Sequence, residues 1–212
     1  MNELANRGKF ISVEGGEGVG KSTQISLLAK AIRAKGHDVI ITREPGGTEG
    51  AEVIRQLLLG GSDARWEART EALLFAAARS DHVARLIEPA LKSGKWVIAD
   101  RYVDSSRAYQ GAGSGLSDAD IMTLHDIGSA GLLPDRTIVL ELPAEIAAAR
   151  AATRDGSDID RIGGRSADFH RSVASAFRVI AENEPQRVRC VSADGTPEHV
   201  SEKIVTAMSD LL

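Results

Sequence analysis

The sequence predicts an α/β protein built on a five-stranded parallel sheet with helices on both faces. The first observation behind this prediction is a set of five apolar runs, each short enough for a buried strand. The second is that longer segments with helical spacing of apolar residues separate these runs. Strands that alternate with helices form right-handed βαβ crossovers and therefore parallel sheets. The length of 212 residues suits one domain, so we expect a single domain over residues 1–212.

The predicted elements follow one another without a repeat, a linker or a low-complexity tract. Apolar spacing and flanking turn residues set their bounds. The strands are predicted at Phe10–Glu14, Val39–Thr42, Trp96–Ala99, Thr137–Leu142 and Arg187–Val191. The helices are predicted at Ser22–Ala34, Thr48–Leu59, Glu67–Leu91, Asp104–Gln110, Ser117–Ala130, Ala144–Thr153 and Glu198–Leu211.

One polar segment, Arg154–Arg165 (RDGSDIDRIGGR), interrupts this alternation and lies between two predicted helices. Most segments of this kind are surface loops. The glycines of this segment also permit hinge motion, and its three arginines are suited to close over an anion. We therefore predict a short lid at about residues 154–165 and keep a surface loop as the alternative.

The composition excludes several classes of protein. The 26 Lys and Arg against 30 Asp and Glu give a net charge of −4, which argues against a nucleic-acid duplex as the main partner. No apolar run approaches the ~20 residues of a membrane span, and the first residues lack the apolar stretch of a secretory signal. Cys190 is the single cysteine, so the chain forms no internal disulfide. We therefore expect a cytoplasmic protein with neither nucleic acid nor a membrane as partner.

Residues 15–22 (GGEGVGKS) match the phosphate-binding motif G-x-x-x-x-G-K-[ST] between a predicted strand and a predicted helix. Glycines let successive backbone N–H groups point inward, and the helix N-terminus adds free donors. Lys21 is suited to reach the β- and γ-phosphates, and the Ser22 hydroxyl can ligate Mg²⁺. The motif predicts an ATP site formed by Gly15, Gly16, Glu17, Gly18, Val19, Gly20, Lys21, Ser22 and Thr23.

The third predicted strand ends in Asp100. Since the carboxyl ends of parallel strands meet at one edge, we expect this carboxylate beside the phosphate motif, where it can hold a Mg²⁺-bound water. The sequence contains no N-K-x-D guanine signature, and its length leaves little room for the coupling machinery of an ATPase motor. A kinase with a small-molecule acceptor is therefore the favoured interpretation.

Four motifs together resemble those of bacterial thymidylate kinases. They are GGEGVGKS, Arg43–Thr48 (REPGGT), Asp100–Tyr102 (DRY) and Ala108–Gly111 (AYQG), which occur in the family's order over essentially the whole chain. The resemblance implies a fold of the P-loop nucleoside-monophosphate-kinase type and the reaction ATP + dTMP → ADP + dTDP with Mg²⁺. It also implies a homodimer formed through helix faces, to which the predicted helix Glu67–Leu91 is apolar enough to contribute.

The resemblance also implies how the thymine and the deoxyribose are bound. At the matching positions of the family, an aromatic residue stacks on the base and an arginine binds its O4 carbonyl, which implies these roles for Phe75 and Arg79. These two residues lie four apart on a predicted helix and share a face; without the resemblance, a core Phe beside a snorkelling Arg is the more ordinary interpretation. Ser106 and Gln110 match positions near the base N3 and the nucleotide. Tyr109 matches a residue that packs beneath the deoxyribose and leaves no space for a 2′-hydroxyl.

The acceptor phosphate is implied to lie against Arg55 and Arg101. Two anions must approach each other during the transfer, so fixed cations around the acceptor are a physical requirement. For Arg55 alone, a solvated helix face is the alternative. By the same resemblance, Glu17 lies near the 3′-hydroxyl of the sugar, and Glu44 orients either the sugar or the phosphate-binding arginines.

The lid arginines are implied to stabilise the transferring phosphoryl group. Family members without a basic residue in the phosphate motif use lid arginines in this way, and this chain has Glu17 in the motif and Arg154, Arg161 and Arg165 in the lid. Arg154 and Arg161 are the candidates for the role, and the five histidines are scattered singly. The residues expected to act in catalysis are therefore Lys21, Arg101, Arg154 and Arg161.

Two positions depart from the family pattern, and one assignment stays open. Gly163 stands where the family usually has Glu, and Glu141 where Asp is commoner. Residues Ala193–Thr196 match a loop that lies against adenine, but an ordinary turn with Thr196 as helix N-cap fits equally well. Two rival functions are a P-loop kinase with another acceptor and a binding protein regulated by ATP.

Overall fold

The computed structural model of the chain describes residues 7–62, 65–143, 145–147, 149–150 and 161–212. Its strands are β1 (Phe10–Gly15), β2 (Val39–Arg43), β3 (Trp96–Asp100), β4 (Arg136–Glu141) and β5 (Val188–Ser192). Its helices are α1 (Lys21–Ala34), α2 (Glu49–Leu59), α3 (Ala68–His82), α4 (Glu88–Lys92), α5 (Val103–Ser106), α6 (Asp118–Ser129), α7 (Ala167–Asn183) and α8 (Pro197–Ala207). Residues 145–147 and 149–150 are also helical.

The five strands form one parallel sheet in the order β2-β3-β1-β4-β5. The strand β1 lies at the centre, with Val13 paired to Asp100 of β3 and to Ile138 of β4. All residues of β1 are buried, including the polar side chains Ser12 and Glu14, as expected for the central strand of a covered sheet. This order brings the ends of β1 and β3 side by side at the carboxyl edge of the sheet.

Both faces of the sheet are covered by helices. On one face, Ile11 and Ile98 pack in a cluster with Leu28 of α1 and Ile204 of α8. On the opposite face, neighbouring strand residues such as Phe10 pack against the chain around α4 and α5. Residues that alternate along a strand point to opposite faces, so the strands of a doubly covered sheet are apolar on both faces at most positions.

Four helices start where the sequence offers a side-chain cap. The caps are Thr48 for α2, Ser117 for α6, Ser166 for α7 and Thr196 for α8, and each side chain accepts a hydrogen bond from a backbone N–H of the first turn. The helix expected after the polar segment is α7, and its buried residues Val173, Phe177 and Ile180 follow helical spacing.

The predicted helix Glu67–Leu91 is not a single regular helix. It consists of α3, a π-helical turn at Val83–Ile87, and α4. Pro89 of α4 has no N–H to donate to the preceding turn, and a π turn absorbs one extra residue in such a helix. The predicted helix Asp104–Gln110 likewise divides into α5 and a π-helical turn at Arg107–Ala112.

The last two predicted helices differ from the structure in their bounds. The final helix ends at Ala207 instead of Leu211, with turns at the end of the chain. Of the predicted helix Ala144–Thr153, the structure describes only residues 145–147 and 149–150. Among the described residues, no helix combines the length and the apolar character that crossing a membrane requires.

Candidate active site

A cavity of ≈ 420 Å³ opens at the edge of the sheet where β1, β2 and β3 end. Its walls come from the phosphate loop, the turn after β2, helices α2 and α3, and the segment that begins at the end of β3. Most of the site residues predicted from the sequence line this cavity: Glu17, Gly18, Gly20, Lys21, Ser22, Thr23, Glu44, Arg55, Phe75, Arg79, Asp100, Arg101, Ser106, Tyr109 and Gln110.

The phosphate loop connects β1 to α1 with the geometry that its glycines require. A Cβ at Gly15, where φ is 131°, would lie 2.6 Å from the carbonyl oxygen of Leu140. Val19 is buried in the core beneath the loop. The cap of α1 is Gly20, which offers no side-chain acceptor, so the first N–H groups of α1 are left for an anion.

Lys21 is the buried cation of the loop. Its Nζ donates to the carbonyl oxygens of Gly16 at 2.7 Å and Gly15 at 3.2 Å. Burial, together with the charge of Arg101, lowers the pKa of Lys21 to about 8. A triphosphate brings a negative charge to this ammonium group, which favours its protonated form.

Asp100 supplies the carboxylate expected next to the loop. Its Oδ1 is buried and has no hydrogen-bond partner among the described residues. Ser22 lines the same cavity. The described residues contain no cluster of three or more acidic, His or Cys side chains that would hold a metal by themselves. A hydroxyl and a single carboxylate fit Mg²⁺ that arrives with phosphate oxygens and water as its other ligands.

Arg101 lies between the phosphate loop and the acceptor side of the cavity. Its Nη2 donates to Oε1 of Glu17 at 2.6 Å, its Nη1 donates to the carbonyl oxygen of Gly15 at 2.9 Å, and its guanidinium lies 5.1 Å from the centre of the Tyr109 ring. The φ of Arg101 is 70°, a left-handed conformation that residues other than glycine rarely adopt. Side chains at active sites are often held in this way.

The fully buried side chain of Glu14 holds the turn that carries Arg101. Its carboxylate accepts from the Tyr102 N–H at 2.7 Å and from the Ser105 hydroxyl at 2.5 Å. Burial, followed by the charge of Asp104, raises the pKa of Glu14 to about 7. Glu14 therefore links the strand before the phosphate loop to the segment after β3.

The far end of the cavity is organised by a buried ion pair. Arg79 of α3 donates through Nε to Glu44 Oε2 at 2.8 Å and through Nη2 to Ser106 Oγ at 2.7 Å. The other oxygen of Glu44 lies 3.0 Å from His82 Nδ1, and His82 Nε2 lies 2.7 Å from Thr42 Oγ1. Glu44 therefore contacts Arg79, the residue implied to bind the base, and its role toward the sugar or the phosphate-binding arginines stays a prediction.

The turn after β2 also positions Arg55 of α2. Its Nη1 donates to the carbonyl oxygen of Pro45 at 2.8 Å, and the side chain lines the cavity. Arg55 is half-buried, and these contacts favour the predicted site role over a solvated helix face. The guanidinium lies in the same cavity as Arg101, as two cations around one acceptor phosphate require.

The lid residues are described only from Arg161 onward, and Arg154 lies outside the described residues. Arg161 does not line the cavity, although the adjacent Ile162 does. Its Nη2 donates to Glu71 Oε2 at 2.5 Å and its Nε to the carbonyl oxygen of Leu58 at 2.8 Å. The lid therefore returns to the body of the protein at α2 and α3.

A family model described as thymidylate kinase matches residues 13–204. The chain belongs to the thymidylate kinase family. It is 57% identical over 205 residues to the thymidylate kinase of Rhizorhabdus wittichii, which covers 97% of this chain and 99% of the relative. It is 48% identical to a thymidylate kinase of Rhodopseudomonas palustris over 95% of this chain and 89% of the relative. The crystal structure of thymidylate kinase from Ehrlichia chaffeensis matches with a TM-score of 0.75 at 29% identity, covering 95% of this chain and 99% of that chain.

Membership in the thymidylate kinase family confirms the resemblance found from the four motifs. The observed sheet and the likeness to the Ehrlichia chaffeensis structure also confirm the predicted fold class. The family is one of kinases, so a protein that only binds ATP as a regulator is not supported. The roles of individual residues stay predictions, and the geometry shows which of them share one cavity.

Two positions that depart from the usual thymidylate kinase pattern have identifiable contacts. Glu141, at the end of β4, accepts from Arg178 Nε at 2.7 Å. The carbonyl oxygen of Gly163 lies 3.1 Å from His170 Nε2, and both residues line the cavity. Thr196 caps α8 through a hydrogen bond from the His199 N–H, so the capping interpretation of residues 193–196 describes the observed geometry.

Three buried side chains of the site were not among the predicted residues: Glu14, Glu71 and His82. Glu71 had a detectable signal, because it precedes Phe75 by four residues and Arg79 by eight and so shares their helix face. Glu14 also had a detectable signal, because it is a charged residue inside a fully buried strand. His82 follows Arg79 by three residues, but nothing in the sequence indicates its contact with Glu44.

Proposed function

We propose that the chain transfers the γ-phosphoryl group of ATP to dTMP and thereby forms ADP and dTDP for dTTP synthesis. The observation that carries this proposal is the thymidylate kinase match over residues 13–204, which includes both ends of the cavity. One end presents a phosphate loop and the other an aromatic ring with polar side chains around it. A donor triphosphate and an acceptor nucleotide therefore have separate places in one cavity.

At the donor end, the backbone of residues 15–23 and the ammonium group of Lys21 bind the triphosphate. Ser22 and Asp100 are suited to hold Mg²⁺ directly or through water. When bound, Mg²⁺ neutralises the charge that develops on the β- and γ-phosphates. Lys21 keeps the γ-phosphate in place, since phosphoryl transfer depends on positioning and charge neutralisation more than on a strong base.

At the acceptor end, Phe75 stacks on thymine while Arg79 donates to its O4. Ser106 and Gln110 contact the remaining polar edge of the base, and Tyr109 packs beneath the deoxyribose. This assignment is supported by the polar atoms that these side chains bring to the far end of the cavity. Arg79 is fixed by Glu44 before any ligand binds, which reduces the cost of orienting it.

The acceptor phosphate lies between Arg55 and Arg101, and Glu17 contacts the sugar near its 3′-hydroxyl. Arg101 bridges the two ends, because it contacts Glu17 and the phosphate loop at once. Arg154 and Arg161 stabilise the transferring group when the lid closes. For Arg161, this contact requires the ion pair with Glu71 to open, while Arg165 keeps its own ion pair with the same carboxylate.

The chain acts as a single domain and as a homodimer in the cytoplasm, with neither nucleic acid nor a membrane as partner. Exposed apolar side chains on three adjacent helices support the dimer, because such residues are suited to an interface. They are Val53 and Leu57 of α2, Leu73 of α3 and Ile127 of α6.

The activity is tested by incubating the purified protein with Mg-ATP and a panel of nucleoside monophosphates, followed by chromatography of the products. Formation of dTDP from dTMP in preference to the other products supports the proposal. Preferred phosphorylation of another acceptor would establish the alternative, a related P-loop kinase with a different substrate. The absence of any diphosphate product would contradict both.

A further inference from the structure

Glu71 is a buried carboxylate on the helix face that lines the acceptor end of the cavity. Its side chain is 1% exposed, and one turn later on the same face comes Phe75. Oε2 of Glu71 accepts from Nη2 of Arg161 at 2.5 Å and from Nη2 of Arg165 at 2.7 Å. Oε1 accepts from Nε2 of Gln110 at 2.9 Å. One carboxylate therefore joins the end of the lid to a side chain of the base site.

This contact determines which way the amide of Gln110 points. A salt-bridged carboxylate only accepts hydrogen bonds, so Gln110 must turn its NH₂ group toward Glu71. Its Oε1 then points away from Glu71, and Gln110 is one of the residues that line the cavity. An amide has nearly the same shape in both orientations, so a fixed partner is what decides between them.

We propose that Glu71 is a positioning residue that sets the amide orientation of Gln110 and thereby selects the acceptor base. This inference rests on the proposed function. With Oε1 toward the ligand, Gln110 accepts from a base that carries hydrogen on N3, as thymine and uracil do. Cytosine has an acceptor at N3, which would face the Gln110 oxygen without a hydrogen between them.

The two arginines explain why a carboxylate is needed at this position. They occupy Oε2 of Glu71, so an amide at residue 71 would turn its oxygen toward the guanidinium groups and its NH₂ toward Gln110. Gln110 would then rotate to accept with Oε1 and would present NH₂ to the base. Glu71→Gln is therefore expected to reverse the hydrogen-bonding character of this part of the site without changing its size.

The test compares the kcat/KM values of the wild type and Glu71→Gln for dTMP, dUMP and dCMP. We expect the values for dTMP and dUMP to fall by about tenfold in Glu71→Gln, because a buried N–H of the base then faces a donor. The value for dCMP should not fall, so the ratio of dTMP to dCMP efficiency drops by about the same factor. Comparison with dUMP separates this effect from that of the thymine methyl group.

Glu184→Gln is the matched control. Glu184 also accepts from two arginines, Arg107 at 2.6 Å and Arg187 at 2.8 Å, but it does not line the cavity. This variant should leave the ratio between the substrates unchanged. Equal losses for all three substrates in Glu71→Gln would show a structural role only and would overturn the proposal.

A second pair of variants covers the case in which Glu71→Gln fails to fold. Arg165→Met combined with Glu71→Gln keeps the net charge of the cluster at the wild-type value, since one cation is removed together with one anion. Its reference is Arg165→Met, which keeps the carboxylate and should keep the preference for dTMP over dCMP. An identical preference in both variants would contradict the inference.

A wild type without activity on dTMP would contradict the proposed function itself.

Discussion

The donor and acceptor ends of the cavity are built by different means. The donor end is made mainly from one continuous segment, in which backbone N–H groups and Lys21 converge after β1, with Asp100 added from the end of β3. The acceptor end is made from side chains of separate segments, held by the ion pairs Glu44–Arg79 and Glu71–Arg161. A site made from backbone tolerates changes in its surroundings. A site made from paired buried charges depends on every partner, because an orphaned buried charge is costly.

The largest expected effect is the loss of transfer in Lys21→Ala. Removal of the ammonium group should lower kcat with Mg-ATP and dTMP by at least roughly 10²–10³-fold, since it removes a cation positioned at the transferring phosphate. The fold should persist, because Lys21 bonds only to carbonyl oxygens of its own loop among the described residues. Lys92→Ala, at an exposed ion pair with Glu88, serves as the control in the kinetic and circular dichroism measurements. Turnover near the wild-type level would contradict the assigned role of Lys21.

The second effect is a loss of stability at the acceptor end, which depends on paired buried charges. Arg79→Ala leaves Glu44 buried without its cation and is expected to lower the free energy of unfolding by roughly 3–5 kcal/mol. Arg85→Ala removes a partner of Asp81 that is 73% exposed and should cost less than about 1 kcal/mol. Chemical denaturation measures both values. Equal stabilities of the two variants would show that the buried ion pair does not organise this end.

The third effect concerns pH at the donor end. Burial raises the pKa of Glu14 from 4.5 to about 7. Between these two pH values the folded state therefore holds a proton that the unfolded state has already lost. The stabilisation from Glu14 is complete below pH 4.5 and is lost as the pH rises through about 7. The difference in unfolding free energy between the wild type and Glu14→Gln should therefore decrease by roughly 2–3 kcal/mol from pH 5 to pH 7.5.

Glu52→Gln is the control for this pH dependence. The hydrogen bond from the Gly47 N–H lowers the pKa of Glu52 below 4.5, so its titration lies outside the measured range. Urea denaturation of the wild type and both variants at the two pH values gives the comparison. A constant difference between wild type and Glu14→Gln would contradict the titration of a buried carboxyl beneath the phosphate loop.

The smallest expected effect is on substrate preference at the acceptor end. The wild type should use dUMP less efficiently than dTMP by roughly 10–200-fold in kcat/KM, because one buried methyl group is worth about 1–3 kcal/mol. Both nucleotides carry the same polar groups on the base, so only the fit of the methyl group is measured. Equal efficiencies would place the base in a different pocket.

The predictability of the site follows the same division between its two ends. The phosphate loop and the end of β3 were predictable, since glycine spacing and an acidic residue after an apolar run are local signals. The interruption of the long predicted helix at Val83–Ile87 was not, because a π turn leaves the apolar pattern nearly intact. The contact of His82 with Glu44 joins residues that are 38 positions apart, which no local pattern records.

Local patterns in the chain were enough to predict how strands and helices follow one another along it, the phosphate loop and the family. These depend on the spacing of neighbouring residues, and local sterics and burial act on neighbours. Only the folded molecule shows that Arg161 lies against Glu71, that Glu44 holds Arg79, and that Gln110 turns its amide NH₂ toward Glu71. Such contacts form between side chains far apart in the chain, and they persist because buried charges and polar groups must find partners once the core has closed.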